Sequence, residues 1–391
     1  MCGVGETMNH FAHRSSGTSP MKRLLVGSIP MPQNRFLVDL NAALSRRMEV
    51  THDADAFWDR RGDFDAVHLH FPEYTTFKHQ DAYKNGLDET LVEQTEARLK
   101  YWSERCPIVI TRHVLLPHDA VRDPKWERFY ELFYRYADGV VHFADASVKE
   151  FKNRYRDTAF ASGPPEHAII PHHNYASLPN DVPRDEARRR LGIGQHRRVM
   201  LVFGAIRNDA ERELIESAFS GAKVANKLLL VPRWRETLAD VSWIRLKYWL
   251  RDARRAYHRL HPRHHFGYDF VEEADTQLYL NAADILFIPR FHVLNSGNVT
   301  LGMTFGKVVV GPDSWDVGEL LGQTGNVCFD PDRPQSAGRA VERAFELSDQ
   351  NVIGAANRER ALSEWSAETC GEQYAAFFMA LRHRNLTASS G

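Results

Sequence analysis

Short apolar runs recur along the first half of the chain, and polar segments with helical spacing separate them. The runs are continuous rather than alternating, which is typical of strands buried on both faces of a parallel sheet. They are Leu24–Val26, Ala66–Leu69, Ile108–Ile110, Gly139–Val141 and Ala168–Ile170. Helices are predicted between them, for example over Leu87–Glu104 and Trp126–Tyr136. This alternation predicts an α/β domain with a doubly wound sheet over residues 21–178.

The same alternation returns after a break. Residues 177–184, SLPNDVPR, interrupt any regular pattern, and DEARRRLGI then begins a helix with acidic residues in its first turn. The second set of strand-like runs is Val199–Phe203, Lys227–Val231, Asp284–Ile288, Lys307–Val310 and Asn326–Phe329. We therefore predict a linker at the break and a second doubly wound domain over residues 185–364. The amphipathic segment that follows, Trp365–Leu381, is predicted to be a helix.

Composition narrows the class of protein. The length of 391 residues is enough for two such domains, and 43% hydrophobic with 26% charged residues excludes global disorder. Fifty basic against 51 acidic residues leave a net charge of -1, so no whole-molecule field attracts nucleic acid. The four cysteines have no CxxC spacing, which argues against a zinc ribbon and agrees with a cytoplasmic protein. We expect residues 1–20, small and polar, to be a flexible leader.

Two such domains in tandem would place the carboxyl ends of their strands around a common cleft, where ligands of open α/β sheets bind. By periodicity alone, this suits an enzyme with two substrates, a two-domain dehydrogenase or a periplasmic-type binding protein. The turn after the first predicted strand is GSIPMPQN. Because Gly27 is its only glycine, the turn lacks the GxGxxG pattern of a dinucleotide site, and a dehydrogenase is disfavoured.

The most informative stretch is Asp284–Asp316. A strand there runs into a loop, and Asn295-Ser296-Gly297 begins a helix of about ten residues that Gly306 ends. The free N–H groups and the positive dipole end of such a helix make an anion site that suits a diphosphate. We count the next residue, Asn298, in this site. The alternative is that Asn295 only caps a structural helix.

Three segments here carry a family resemblance. YLNAADILFIP, VLNSGNVTLGMTFGKVVVGP and SWDVGELLG resemble the nucleotide-sugar half of GT-B glycosyltransferases, particularly family-4-like and β-mannosyltransferase-like members. The resemblance extends to RRVMLVFGAIRNDAERELIESAF and covers nearly all of residues 21–381. It implies two Rossmann-like domains facing a cleft, with residues 365–382 crossing back to the first. It also implies that Gly204 and Arg207 face the donor diphosphate, which a planar guanidinium binds well.

The chain departs from the family pattern in two places. Many family-4 enzymes carry two glutamates separated by seven residues, and the corresponding positions here are Leu294 and Gly302. The lysine that usually follows the arginine is also missing. Diphosphate binding should therefore depend on Arg207 and backbone N–H groups, and Glu319 or another residue would bind the ribose. A catalytically silent relative that serves as a binding subunit stays open, as does a sugar-nucleotide epimerase.

Histidines follow several predicted strands of the first domain. His70, His113, His142 and His172 lie at strand carboxyl ends, so they should converge on one region. Each could instead be a hydrogen-bonded structural residue. Because HExxH spacing and clustered glutamates are absent, we expect no metal site and no cofactor.

Glycosyl transfer needs a stabilised leaving diphosphate, a positioned acceptor and, if configuration inverts, a base. TRHVLLPHD resembles the acceptor-side loop of the same enzymes, so we predict that His113 positions the sugar and that Asp119 or Glu73 acts as base. Gly27 and Asn34 are candidates for acceptor or sugar contacts, although Asn34 alternatively caps the following helix. The other histidines named above are further candidates for these contacts.

One basic segment is a candidate membrane contact. Residues 243–263 carry seven basic residues, one acid and four large aromatics, a composition typical of an interfacial helix. The alternative is a solvated basic face beside a phosphate cleft. The sequence thus predicts a cytoplasmic, metal-independent glycosyltransferase, peripheral to the membrane if this segment binds it. Its donor would be a nucleotide-diphosphate sugar, its acceptor a glycan or polyprenyl-linked lipid, and its pathway surface polysaccharide assembly.

Overall fold

Two parallel sheets organise the chain. The structure is a computed structural model that describes residues 23–117, 123–235, 251, 253, 255–258 and 260–388. The predicted leader at residues 1–20 therefore lies outside the described residues, as does most of the basic segment at 243–263. No helix in the described part of the chain is long and apolar enough to cross a membrane.

The first described sheet is six-stranded, parallel throughout, and ordered β2-β1-β3-β4-β5-β6. Its strands are β1 Arg23–Val26, β2 Glu49–His52, β3 Ala66–Leu69, β4 Ile108–Thr111, β5 Gly139–His142 and β6 Glu166–Ile169. The helices around it are α1 Arg35–Leu44, α2 Ala54–Trp58, α3 Phe77–Asn85, α4 Glu89–Ser103, α5 Pro124–Arg135 and α6 Asp145–Arg154. Every residue of β3, β4 and β5 is buried, as expected for strands covered on both faces.

The second sheet, also six-stranded and parallel in the described residues, is ordered β12-β11-β10-β7-β8-β9. Its strands are β7 Arg198–Leu201, β8 Lys227–Val231, β9 His264–Phe266, β10 Ile285–Phe287, β11 Val308–Pro312 and β12 Val327–Phe329. Its helices are α7 Arg184–Arg190, α8 Asp209–Gly221, α9 Glu273–Ala282, α10 Gly297–Thr304, α11 Trp315–Gln323, α12 Ser336–Gln350 and α13 Val352–Glu364. The predicted α/β class with two doubly wound sheets is confirmed.

A buried ion pair fixes the start of the second domain. The guanidinium of Arg188, on α7, donates to the Ala282 carbonyl at 3.0 Å and to the two carboxylate oxygens of Asp284 at 3.0 and 2.9 Å. The Arg188 side chain is fully buried. Since a buried charge needs a partner with good hydrogen bonds, this contact ties α7 firmly to the strand that Asp284 precedes.

The last helix, α14 Ala367–Ala388, packs back on the first sheet. Its apolar face joins the core cluster that contains β1 and α1, and the Tyr374 hydroxyl lies 3.1 Å from that of Thr111. A Cβ at Gly139 would come within 2.6 Å of Leu381, so only glycine lets this helix approach β5 so closely. The crossing helix implied by the resemblance is therefore confirmed.

The strand orders locate the cleft. In each sheet the order reverses at one point, between β1 and β3 in the first and between β7 and β10 in the second. Loops that leave neighbouring strands at such a point run in opposite directions and open a crevice at the carboxyl ends, where ligands bind. The functional residues should therefore lie in the loops after β1 and β3 and in those after β7 and β10.

Candidate functional site

The amino terminus of α10 is free of caps. Ser296 is the residue before the first helical turn, and its side chain makes no capping hydrogen bond. Among the described residues, none accepts a hydrogen bond from the N–H of Gly297 or Asn298. All of residues 295–298 are half-buried, so this end is neither covered nor turned fully outward. Asn295 lies one residue before Ser296 and lines a cavity between the two domains.

The loop after β6 approaches this helix end. A Cβ added at Gly297 would lie 2.5 Å from the Tyr175 hydroxyl and 3.3 Å from Nε2 of His172. Nδ1 of His172 also lies 3.2 Å from the hydroxyl of Thr300, one turn into α10. The helix that should hold an anion is therefore placed directly against residues that follow the first sheet.

The loop after β7 forms the other side of the crevice. Gly204 has a φ of 93°, a left-handed conformation that favours glycine. The Asn298 side-chain amide donates to the Phe203 carbonyl at 2.8 Å and so ties α10 to this loop. The backbone N–H of Arg207 donates to the Glu211 carboxylate at 2.7 Å, and the Arg207 residue is half-buried.

A buried ion pair that the sequence analysis missed holds the two loops together. Arg290, three residues after β10, contacts Glu211 at 2.7 Å and donates to the Ala205 carbonyl at 2.8 Å. Burial lowers the pKa of Arg290, and Glu211 acts against that shift. The sequence shows an arginine directly after Pro289 and an acidic residue in the first turn of α8. Neither residue belongs to a motif that would have identified the pair.

An interdomain cavity of about 430 Å³ lies beside the uncapped helix end. Its wall includes Phe143, His172, Asn295, Thr300, Asp316 and Glu319. The first two come from the first-domain side and the other four from the second. A small ligand in this cavity would therefore contact both domains.

Glu319 lies on this wall with its carboxylate turned to the first domain. It accepts hydrogen bonds from the N–H groups of Asp145 at 3.4 Å and Ala146 at 2.7 Å, at the start of α6. Asp316, which the sequence analysis did not single out, accepts from the Ser147 N–H at 2.9 Å. The ribose contact of Glu319 stays a prediction.

Three of the four predicted histidines meet around one phenylalanine. The ring centroids of His70, His113 and His172 lie 6.0, 5.0 and 4.7 Å from that of Phe36. Nδ1 of His70 is 3.0 Å from Nε2 of His113. Burial lowers the pKa of His172 to about 3 and that of His113 well below its usual range, so both imidazoles are neutral at pH 7.

The fourth histidine is placed apart from this group. His142 points toward α6, where Nδ1 lies 2.7 Å from the Ser147 hydroxyl and Nε2 lies 3.0 Å from Nδ1 of His167. It is fully buried and does not line the cavity. His142 therefore braces the start of α6 in this structure.

The remaining first-domain candidates have structural contacts. Glu73 is buried, and the Tyr130 hydroxyl donates to its carboxylate at 2.5 Å. Burial raises the pKa of Glu73 to about 7, and the carboxylate does not line the cavity. The Asn34 side chain caps α1 by accepting from the Leu37 N–H at 3.4 Å. Gly27 follows β1, where a Cβ would touch two side chains at 3.0 Å. Asp119 lies outside the described residues.

Metal ligation has little support in the described ranges. No three His, Cys, Asp or Glu side chains of the described residues are placed so that they could hold one ion. The sequence expectation of a metal-independent site stays a prediction.

The fold can be compared with known proteins. No protein-family model matches the chain, and no curated protein sequence matches it. Sucrose-phosphate synthase from Thermosynechococcus elongatus superposes with a TM-score of 0.63 at 13% identity, over 95% of this chain and 100% of that one. HepE from Anabaena in complex with UDP gives 0.63 at 13%, over 92% and 100%. The catalytic domain of starch synthase IV from Arabidopsis thaliana, bound to ADP and acarbose, gives 0.54 at 12%, over 91% and 79%.

At these identities the comparisons establish architecture. They extend over nine tenths or more of this chain, whereas membership of the family-4-like or β-mannosyltransferase-like group stays a prediction. The chain therefore has the GT-B fold of these glycosyltransferases.

Proposed function

We propose that this protein is a glycosyltransferase that moves a hexosyl group from a nucleoside diphosphate sugar to a glycan or polyprenyl-linked acceptor. The observation that carries the proposal is the uncapped amino terminus of α10, which adjoins an interdomain cavity in a chain with the GT-B fold. Two of the similar structures support the choice of ligand. HepE was solved with UDP and with UDP-glucose, and starch synthase IV with ADP and acarbose.

In the proposed reaction the second domain stabilises the leaving diphosphate. The N–H groups of Gly297 and Asn298 donate to its oxygens at the positive end of the helix, and Arg207 supplies a full positive charge. This assigns charge neutralisation to protein groups and not to a metal ion. Such fixed donors accelerate the reaction because negative charge grows on the diphosphate as the glycosidic bond breaks.

We assign the sugar and the acceptor to the first-domain side of the cavity. His172 lines the wall, and its neutral imidazole would hydrogen-bond a sugar hydroxyl rather than pair with the diphosphate. His113 stacks on Phe71 behind that wall and would position the sugar through the histidine group. For an inverting reaction we favour Asp119 as base over Glu73, because Glu73 is buried against Tyr130.

UDP should bind the purified protein, and Arg207→Ala should weaken the binding at least tenfold. A hydrogen bond to a charged group contributes roughly 1.5 to 3 kcal/mol, and about 1.4 kcal/mol is a factor of ten in affinity. Isothermal titration calorimetry measures both proteins. Arg343→Ala is the matched control, since that exposed arginine on α12 pairs, among the described residues, only with Glu346 in the same helix at 2.8 Å. Equal affinities for the wild type and Arg207→Ala would remove Arg207 from the site.

A turnover assay distinguishes the proposed transferase from the two alternatives, a silent binding subunit and an epimerase. Release of UDP from UDP-glucose, accelerated by a glycan acceptor, is expected of a transferase. A silent binding subunit would bind UDP and release none from the sugar nucleotide, and an epimerase would convert the donor into its epimer, which chromatography detects. Absence of calorimetric binding for UDP, GDP, ADP and TDP would contradict the proposal as a whole.

A further inference from the structure

Helix α6 has no cap of its own. The residue before its first turn is Ala144, whose methyl side chain accepts no hydrogen bond. The first N–H groups of a helix have no partner within the helix, and leaving them unpaired in a half-buried place is unfavourable. Serine, threonine, aspartate or asparagine normally fills this position. The sequence of α6 therefore leaves its amino terminus to be satisfied from elsewhere.

The second domain supplies that cap. The three N–H groups of residues 145–147 all donate to carboxylates on α11, two of them to Glu319 and the third to Asp316. The two acids are three residues apart, so they lie on one face of α11. Asp316 also lies in the first turn of α11, where negative charge is favourable for that helix. It is therefore placed between the amino-terminal ends of two helices from different domains.

Asp316 is buried in this contact between the domains. The Asp316 residue is 2% exposed, and its Oδ2 has no hydrogen-bond partner among the described residues. Its backbone N–H donates to the Leu294 carbonyl at 3.1 Å, two residues before Ser296 at the start of α10. One residue therefore joins the start of α6 to the loop that leads into the candidate diphosphate site.

The first-domain end of the contact is also braced. The Ser147 hydroxyl lies 2.7 Å from Nδ1 of the buried His142, and the Ser147 carbonyl accepts from the Arg112 guanidinium at 2.9 Å. The start of α6 is thus held in place by hydrogen bonds within the first domain. The neighbouring residues Phe143 and Ala144 line the interdomain cavity, so the place of α6 decides the shape of that wall.

We infer that Asp316 and Glu319 are positioning residues that hold the first-domain wall of the cavity against the second domain, by supplying to α6 the cap that its own sequence lacks. The inference goes beyond the proposed function, because domain closure is measurable without any donor. A capping side chain stabilises the helix whose first N–H groups it satisfies. Two such contacts across a domain boundary are enough to set the balance between closed and open arrangements.

The test removes both capping carboxylates, and it measures the closure of the two domains separately from the capping of α6. The double variant Asp316→Ala with Glu319→Ala should show a larger radius of gyration by small-angle X-ray scattering. Its amides at residues 145–147 should exchange hydrogen at least tenfold faster by mass spectrometry. Glu346→Ala on the exposed face of α12 is the matched control and should change neither measurement. An unchanged radius of gyration in the double variant would overturn the inference, whatever the exchange rates.

A third substitution separates positioning from local stabilisation. Ala144→Ser gives α6 a cap within its own domain, and the extended backbone at residue 144 suits that role. Added to the double variant, it should restore slow amide exchange while the radius of gyration stays large. If closure returned together with the local cap, the carboxylates would not be positioning the domains, and the inference would fail. Should the double variant not fold, Glu319→Ala, with and without Ala144→Ser, gives the same comparison, with a smaller increase in radius expected and no increase overturning the inference.

Discussion

Lowering the pH from 7.5 to 5 should unfold the first domain, because its core contains histidines that must stay neutral. Six histidines that are less than a tenth exposed have a lowered pKa, namely His68, His70, His79, His113, His142 and His172. Burial is the largest cause that lowers the pKa of each one, to about 3 for His68 and His79 and to about 2 for His142. Nδ1 of His68 and Nε2 of His70 are buried with no hydrogen-bond partner in the described part of the chain, so a proton there would gain no acceptor from it.

The direction of this pH effect on stability follows from the linkage between protonation and folding. A histidine whose pKa is lower in the folded state binds protons more tightly when unfolded. Its stabilising contribution is therefore complete above about pH 6.5 and is lost as the pH falls below that value. At pH 5 each such histidine lowers the free energy of unfolding by about 2 kcal/mol, and six of them lower it by about 12 kcal/mol.

Two buried carboxyl groups act in the opposite direction. Burial raises the pKa of both Glu73 and Asp316 to about 7, so protonating them on acidification favours the folded state. Together they offset about 5 kcal/mol between pH 7.5 and 5, which leaves a net loss of about 7 kcal/mol. That loss is comparable with the whole free energy of unfolding of an ordinary domain, roughly 5 to 15 kcal/mol.

Urea unfolding followed by circular dichroism at several pH values measures this loss. His79→Gln should make the acid dependence shallower by about 1.4 kcal/mol per pH unit below pH 6, which is the contribution of one proton. Exposed His292, which is near Asp332, is the control position, and His292→Gln should leave the slope nearly unchanged. A free energy of unfolding that is constant from pH 7.5 to 5 would refute the argument.

The sequence predicted the interior of the fold well because interior strands are continuous apolar runs. Two of the four edge strands in the described sheets, β2 and β9, were missed, whereas β6 and β12 were predicted. β2 reads EVTH and is exposed or half-buried along its length, and β9 spans only His264–Phe266. An edge strand is covered less and needs no continuous apolar run, so periodicity carries little signal there. Helix α13 was also missed, since its buried residues are Gly354, Asn357 and Ala361, which do not form an apolar stripe.

The placement of candidate site residues was predictable where a local motif sets it and not where distant segments meet. The start of α10 and the loop with Gly204 and Arg207 follow strand ends, so topology alone brings them to one crevice. The pairing of Arg290 with Glu211 and the capping of α6 by α11 join segments that are far apart in sequence. Nothing in the spacing of either partner records such a contact.

Glu73 shows a further limit of predicting site residues from the sequence. It follows a strand end, as a cleft residue would, but Pro72–Tyr74 forms a short 3-10 turn that buries its carboxylate against Tyr130. The strand end was visible in the sequence, whereas the direction of the side chain depends on the turn. This is why strand ends alone predict the neighbourhood of a site better than its members.

Replacing Gly297 with alanine should reduce UDP affinity at least 100-fold while the chain stays folded. The new Cβ would lie 2.5 Å from the Tyr175 hydroxyl and 3.3 Å from Nε2 of His172, so the helix start or the opposing loop must move. Either movement misaligns the N–H groups of Gly297 and Asn298. Two hydrogen bonds to a charged diphosphate contribute roughly 3 to 6 kcal/mol together, which is a factor of 100 or more in affinity.

Calorimetry with UDP gives the affinity, and thermal unfolding shows whether the variant is folded. Gly322→Ala is the matched control, because that glycine is on the exposed side of helix α11 with no atom within 4 Å of an added Cβ. It should bind UDP normally and gain stability of roughly 0.5 to 1 kcal/mol, as alanine for glycine does in a helix. Tyr175→Phe removes the hydroxyl that the new methyl group would meet. Combined with Gly297→Ala, it should therefore recover much of the lost affinity. A folded Gly297→Ala variant with unchanged UDP affinity would mean that the diphosphate does not bind at the start of α10.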